Sequence, residues 1–185
     1  MSLFGRAYGR GISGEVRLHG RPVDVGTIGR AIAAGLAYVT EDRKHYGLVL
    51  EDDVRRNVTL ANLRGVSSAA VIDRGREYRV ANDYRQRLRI RCSSVFQDVV
   101  NLSGGNQQKV VLAKWLFADP EVLILDEPTR GIDVGAKFEI YTLMAELAAA
   151  GKCVVMISSE MPELLGMCDR IYVMNEGRFV GEFAG

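Results

Sequence analysis

Apolar and polar positions change period several times along the chain, and the changes outline an alternation of strands and helices. Glu15, Val16, Arg17 and Leu18 alternate, which predicts a half-buried strand. Arg21-Pro22 begins a connection, and Ile28 to Ala34 has helical spacing with Gly35 placed to end it. Leu36 to Val39 is a short apolar run that predicts a strand. From Glu51 to Val99 the pattern turns helical and irregular. Val54 to Leu63 predicts one helix there, and Arg74 to Arg89 a second with Tyr78, Ala81 and Leu88 on a shared face. A densely apolar helix starts near Asn106 and carries Val110, Val111, Ala113, Trp115, Leu116 and Phe117. Val122 to Leu125 is an unbroken apolar run of the kind found in strands covered on both faces. Ile140, Tyr141, Met144, Leu147 and Ala148 recur at helical spacing and read as core, with Gly151 as the stop. Cys153 to Ile157 reads as a buried strand, with Cys153 a small core residue. Ile171 to Met174 and Arg178 to Val180 form a hairpin around Asn175-Glu176-Gly177.

Composition narrows the classes. A chain of 185 residues suffices for one domain with its own core. A net charge of +1 offers no basic field for nucleic acid. Six arginines lie between Arg74 and Arg89, but Glu77 and Asp83 interleave, so a solvated helix face is the better reading. No apolar run approaches the roughly 20 residues of a membrane span, and no charged-then-apolar leader opens the chain. A membrane role would therefore come through a partner. Cys92, Cys153 and Cys168 share no metal-ligand spacing, and a reducing setting fits them. Gly9-Arg-Gly11-Ile-Ser-Gly14 matches a dinucleotide fingerprint, but a strand follows it where a helix should, so it reads as a turn. His19 and His45 sit in polar surroundings and suggest no role.

Two stretches carry chemistry. Ser103, Gly104 and Gly105 precede a helix, whose N-terminus presents unpaired N–H groups and partial positive charge. Glycines there let backbone approach a phosphate closely, although a plain Ser-capped helix after a Gly turn reads the same way. About 20 residues on, Asp126 and Glu127 end an apolar strand, where open α/β sheets place their ligands, and Pro128 stops it. Asp126 is suited to hold Mg²⁺ through water, and Glu127 to orient or deprotonate an attacking water.

The order and spacing of these stretches resemble the ATP-binding cassette (ABC) family. Leu102 to Lys109 is similar to its signature motif, Leu123 to Thr129 to its Walker B strand, and Gly131-Ile132-Asp133 to its D-loop. The Asn106-Gln-Gln-Lys109 ending and the run Arg130 to Lys137 resemble the second ATPase half of bacterial monosaccharide importers of the ribose, galactose and xylose type. The resemblance implies an ABC nucleotide-binding domain over 1–185, partial because its P-loop strand is absent, with a helical subdomain at about 51–117. The sheet would be mostly parallel with flanking helices and a small antiparallel β portion.

ATP and Mg²⁺ are implied as cofactors. Glu127 would be catalytic and Asp126 the metal residue, with Ser103, Gly104, Gly105 and Gln107 nucleotide-binding. Glu41, Asp133 and Ser159 would be switch or coupling positions. Glu41 stands where the family usually has Gln, and would add negative charge beside ATP. Ser159 stands where most members have His, and reads equally as a cap for the helix at Pro162. No Gly-x-x-x-x-Gly-Lys-Ser/Thr occurs, and Leu3-Phe4-Gly5 is similar to the last turn of the phosphate-loop helix. The chain is therefore expected to start after its phosphate loop and to bind ATP weakly alone. The strand before that loop would lie beside the Asp126 strand, and its loss would leave an edge open to dimerisation or aggregation.

Implied partners are the other ATPase half (in the same full-length chain or a second copy), a transmembrane permease and, indirectly, a periplasmic sugar-binding protein, with no nucleic acid. The expected place is the cytoplasmic face of the inner membrane. Alternatives are a non-catalytic half that docks the permease and completes its partner's site, and the ATPase of a nucleoside importer. An ABC ATPase of DNA repair would need heptad arms or zinc-binding cysteine pairs.

Overall fold

The computed structural model of the protein describes residues 3–6 and 10–184. Of the glycine-rich turn, Gly9 lies outside the described residues, while Gly11 and Gly14 adopt φ of +64° and +111°.

The chain opens on a turn at Leu3–Arg6 in which Phe4 is buried against Tyr38 and, edge-on, Trp115. Strands β1 (Val16–Leu18) and β2 (Arg21–Val23) pair antiparallel across a tight turn. The connection expected at Arg21-Pro22 is thus itself a strand, and a two-stranded edge tolerates the proline. Helix α1 (Ile28–Ala33) starts under the Thr27 hydroxyl, which accepts from the Arg30 N–H, and Gly35 follows its end with φ +84°. β3 (Leu36–Val39) is buried throughout.

α2 (Val54–Thr59) is capped by Asp53 and runs on as a 3₁₀ segment, Leu60–Val66, broken at Asn62. After the short pair β4 (Ser67–Ser68) and β5 (Val71–Ile72) comes α3 (Arg74–Arg87). The face expected on α3 is only partly right: Ala81 and Leu88 are buried, but Tyr78 turns outward to stack on Phe96. Glu77 goes inward instead, accepting from the Thr59 hydroxyl and pairing with Arg55. α4 (Gly104–Phe117) starts two residues earlier than its apolar pattern indicates.

β6 (Val122–Asp126) and β7 (Cys153–Ile157) flank α5 (Val134–Ala149), whose buried face is Ile140, Leu143, Met144 and Leu147, while Ala148 is exposed. α6 (Met161–Met167) precedes the terminal hairpin β8 (Arg170–Asn175) and β9 (Arg178–Ala184). Its loop is two residues, Glu176 and Gly177, both at positive φ, because Asn175 already pairs with Arg178.

The central sheet has order β3-β6-β7 and is wholly parallel, and three antiparallel pairs lie outside it. The expected α/β architecture therefore holds, with two corrections. First, a further strand cannot lie beside the Asp126 strand, because both edges of β6 are paired; a fourth strand could join only at β3 or β7. Second, β7 is not buried: Cys153, Val155 and Ile157 are exposed, and only the alternate residues Val154 and Met156 face the core. An edge strand covered on one face shows period-two burial even when its sequence is uniformly apolar. One continuous core joins the sheet to the helices through Val54, Val58, Leu88, Val99, Val110, Leu112 and Leu125. No helix among the described residues is long and apolar enough to cross a membrane.

Candidate functional site

Three chain segments meet at the C-terminal end of the parallel sheet, where ligands of α/β folds collect. The first leaves β6. Asp126 is its last residue, and the Tyr38 hydroxyl on β3 donates to Asp126 Oδ2 at 2.5 Å. Burial, together with the hydrogen bond to this carboxylate, holds the Tyr38 phenol far above its ordinary pKa, so Tyr38 stays a donor. Asp126 Oδ1 remains for a water or ligand.

Glu127 follows in the left-handed region, with φ +46°. A glutamate holds that conformation only where its surroundings compel it. Here its N–H donates to the Ile157 carbonyl (2.9 Å), and its Oε1 accepts from the Ser159 N–H (2.8 Å). Both partners sit at the end of β7, so Glu127 is stitched to the neighbouring strand. Ser159 therefore acts through its backbone. It caps nothing: the residue flanking α6 is Glu160, whose N–H is accepted by the Ser158 hydroxyl.

The second segment is the start of α4. Ser103 occupies the cap position, yet its hydroxyl accepts no backbone N–H and takes only the Asn106 side-chain amide, at 2.9 Å. The plain capping role is thus excluded, and the first N–H groups of α4 keep their anion-binding capacity. The two glycines are fixed by packing. A Cβ on Gly104 would lie 2.8 Å from Arg43 Nη2 and 3.3 Å from the Gly131 carbonyl, and one on Gly105 would lie 2.7 Å from Ala136 Cβ. Gln107 departs from its expected role. It is buried at 4% exposure and donates to the Val99 carbonyl, because one turn into α4 its side chain faces the Val99–Asn101 turn.

The third segment follows β3. Glu41 is exposed and ion-paired with Arg130, so the negative charge expected there is balanced from the turn after β6. Arg43, two residues on, donates to the Arg130 carbonyl (3.2 Å) and lies against Gly104. Asp133 caps α5 by accepting the Ala136 N–H at 2.9 Å, with its second oxygen turned toward Gly105.

Sequence reasoning missed Tyr38, Arg43 and Glu163. The apolar run Leu36 to Val39 marks Tyr38 only as a strand residue, and no local pattern marks Arg43. Glu163 is 7% exposed and accepts from Thr129, Tyr141, Ser158 and Lys137. Burial pushes its carboxyl up, but these four donors outweigh burial and leave it below the ordinary glutamate value. Nothing local in Pro162-Glu163-Leu164 announces that convergence.

The arrangement is an α/β fold whose sheet end brings two acids near a helix N-terminus. The profile of the family described as ABC transporter matches residues 3–130, and the chain belongs to that family. It is 59% identical over 182 residues to the L-arabinose transport ATP-binding protein AraG of Geobacillus stearothermophilus, across 98% of this chain and 36% of that protein. It is 53% identical, with the same two coverages, to the xylose import ATP-binding protein XylG of Thermoanaerobacter pseudethanolicus. The chain thus spans about a third of the length of the curated relatives it matches. The crystal structure of a nucleotide-free ATP-binding cassette from an ABC transporter shares the fold, with a TM-score of 0.82 at 19% identity, over 100% of this chain and 74% of that one.

Proposed function

We propose that this chain forms part of the ATP-driven motor of a bacterial carbohydrate importer, supplying signature, Walker B and D-loop elements to composite ATP sites. The observation that carries the reading is the start of α4. A helix N-terminus whose cap serine accepts no backbone N–H packs on the turn Gly131–Asp133 through Gly104 and Gly105, and a Cβ on Gly105 would overlap Ala136. The arabinose and xylose proteins among its relatives support a monosaccharide as the cargo.

In this reading Ser103 and the N–H groups of Gly104 and Gly105 grip the γ-phosphate of ATP held by another ATPase half. Glu127 is the base for the attacking water. Asp126 fits a metal-water role, since Tyr38 occupies one oxygen and leaves the other. No cluster of three or more His, Cys, Asp or Glu among the described residues makes a protein cage. That suits Mg²⁺ held chiefly by phosphates and water. Bound Mg²⁺ would neutralise charge on the β- and γ-phosphates. Gln107 has no part in the contact. Residues 51–117 serve as the helical subdomain that, with Glu41, receives a permease, and the protein works at the cytoplasmic face of the membrane.

A second reading, a half that completes its partner's site without turning over ATP itself, is favoured by Ser159, which meets Glu127 only through its N–H. One experiment separates the two. In the full-length ATPase carrying this segment, Ser103→Arg should abolish most ATP hydrolysis. Glu127→Gln should cost less if the partner's site dominates. The opposite ranking overturns the assignment of Ser103. Absence of saturable binding of a fluorescent ATP analogue to this chain alone agrees with a composite site, and micromolar binding contradicts it.

A further inference from the structure

We propose that Glu163 is a positioning residue that locks the turn after β6 to the turn after β7 and thereby sets the orientation of Glu127. The proposal rests on the reading of Glu127 as the base. Its geometry stands independently of that reading.

Glu163 lies on α6 and touches the turn after β6, the turn after β7 and helix α5. Its Oε1 accepts from the Thr129 hydroxyl, from the Tyr141 hydroxyl at 2.5 Å and from Lys137 Nζ at 3.2 Å. Its Oε2 accepts from the Ser158 hydroxyl at 2.9 Å. Thr129 lies two residues beyond Glu127, and Ser158 directly precedes Ser159. One buried carboxylate therefore bridges the two turns whose backbones are also joined by Glu127 itself. Lys137 reinforces the bridge by binding both oxygens of Glu160 at 2.8 and 2.9 Å.

A buried ion held only for stability is easily replaced by apolar packing. This one divides its two oxygens between two turns. A Gln amide would still bridge them, because the Ser158 hydroxyl accepts an N–H as readily as it donates. In Glu163→Met the side chain keeps its length but offers no acceptor to either turn, so the Ser158 side opens. Ser158 then no longer fixes the backbone that presents the Ser159 N–H to Glu127.

The test is amide hydrogen exchange followed by NMR on the chain, a readout independent of ATP turnover. Glu163→Met should lower protection at the Ser159 and Glu127 amides by roughly tenfold, the worth of about one hydrogen bond, and leave Ile124 and Leu125 unchanged. Ser158→Ala should reproduce that pattern. The double variant should add nothing. Unchanged protection at Ser159 and Glu127, or an equal loss across the sheet, overturns the proposal. If Glu163→Met does not fold, Ser158→Ala alone decides, by the same two outcomes. Failure of the motor reading would appear elsewhere, in the ranking of Ser103→Arg against Glu127→Gln.

Discussion

The start of α4 and the end of β6 both lie at the C-terminal end of the sheet but are built by opposite means. At α4 the working surface is backbone. Gly104 and Gly105 remove side chains so that the helix end can press on Arg43, Gly131 and Ala136, and the one hydroxyl, Ser103, stays free of capping. At β6 the working surface is carboxylate, and each acid has at least one donor: Tyr38 on Asp126, Ser159 on Glu127 and, from α6, four groups on Glu163. The first design leaves capacity for an anion that arrives from outside. The second holds its acids aimed without one. An anion-gripping helix end needs unfilled donors, whereas a base must be restrained against rotation.

The anchoring of α4 gives the largest expected effect. Lys114, at 6% exposure, donates to the Gly47 carbonyl at 2.5 Å, and burial lowers its pKa to about 8. The unfolded chain binds that proton more tightly, so stability should rise with pH from about 8 to the ordinary lysine value near 10.5. The gain should be up to about 3 kcal/mol. Lys114→Met should flatten this limb in urea titrations across that range and raise stability at neutral pH.

Glu163 works in the other direction. Its carboxyl lies below the usual value when folded, so its contribution is complete above the ordinary glutamate range and is lost as acid takes the pH below it. Glu163→Gln should remove on the order of 2 kcal/mol at neutral pH, as expected for hydrogen bonds to a charged group, and make acid unfolding shallower.

Gly105→Val tests the close approach at α4. The overlap with Ala136 should cost about 1–3 kcal/mol in thermal or urea unfolding, and Ala136→Gly should restore most of it. The smallest effects sharpen the contrast between the two serine and aspartate caps. Asp133→Ala should cost about 1 kcal/mol, because Asp133 does cap α5. Ser103→Ala should cost less than about half of that, because Ser103 caps nothing. Equal losses would return Ser103 to a purely structural role.

Much of this protein was legible in its sequence. Val122 to Leu125 is apolar at every position because a central parallel strand is buried on both faces, and that run with Asp126 and Glu127 after it placed the sheet end correctly. Gly35 and Gly151 ended their helices where the pattern put them, since positive φ is a local demand. Ser103-Gly104-Gly105, with its spacing to Asp126, was enough for the family.

The tertiary structure alone decided what depends on neighbours far along the chain. Cys153 to Ile157 has the same apolar run as β6 but is covered on one face only, so half of it meets solvent. Gln107 and Gln108 are both buried, although nothing in Asn-Gln-Gln-Lys distinguishes them from a polar helix face. The reason for the glycines at 104 and 105 lies at Arg43 and Ala136, and the partner that balances Glu41 lies 89 residues away at Arg130. Helix and strand periods are written in near neighbours, so a sequence displays them. A carboxylate's donors and a glycine's close contact come from segments that meet only when the sheet has formed, and no local pattern encodes them.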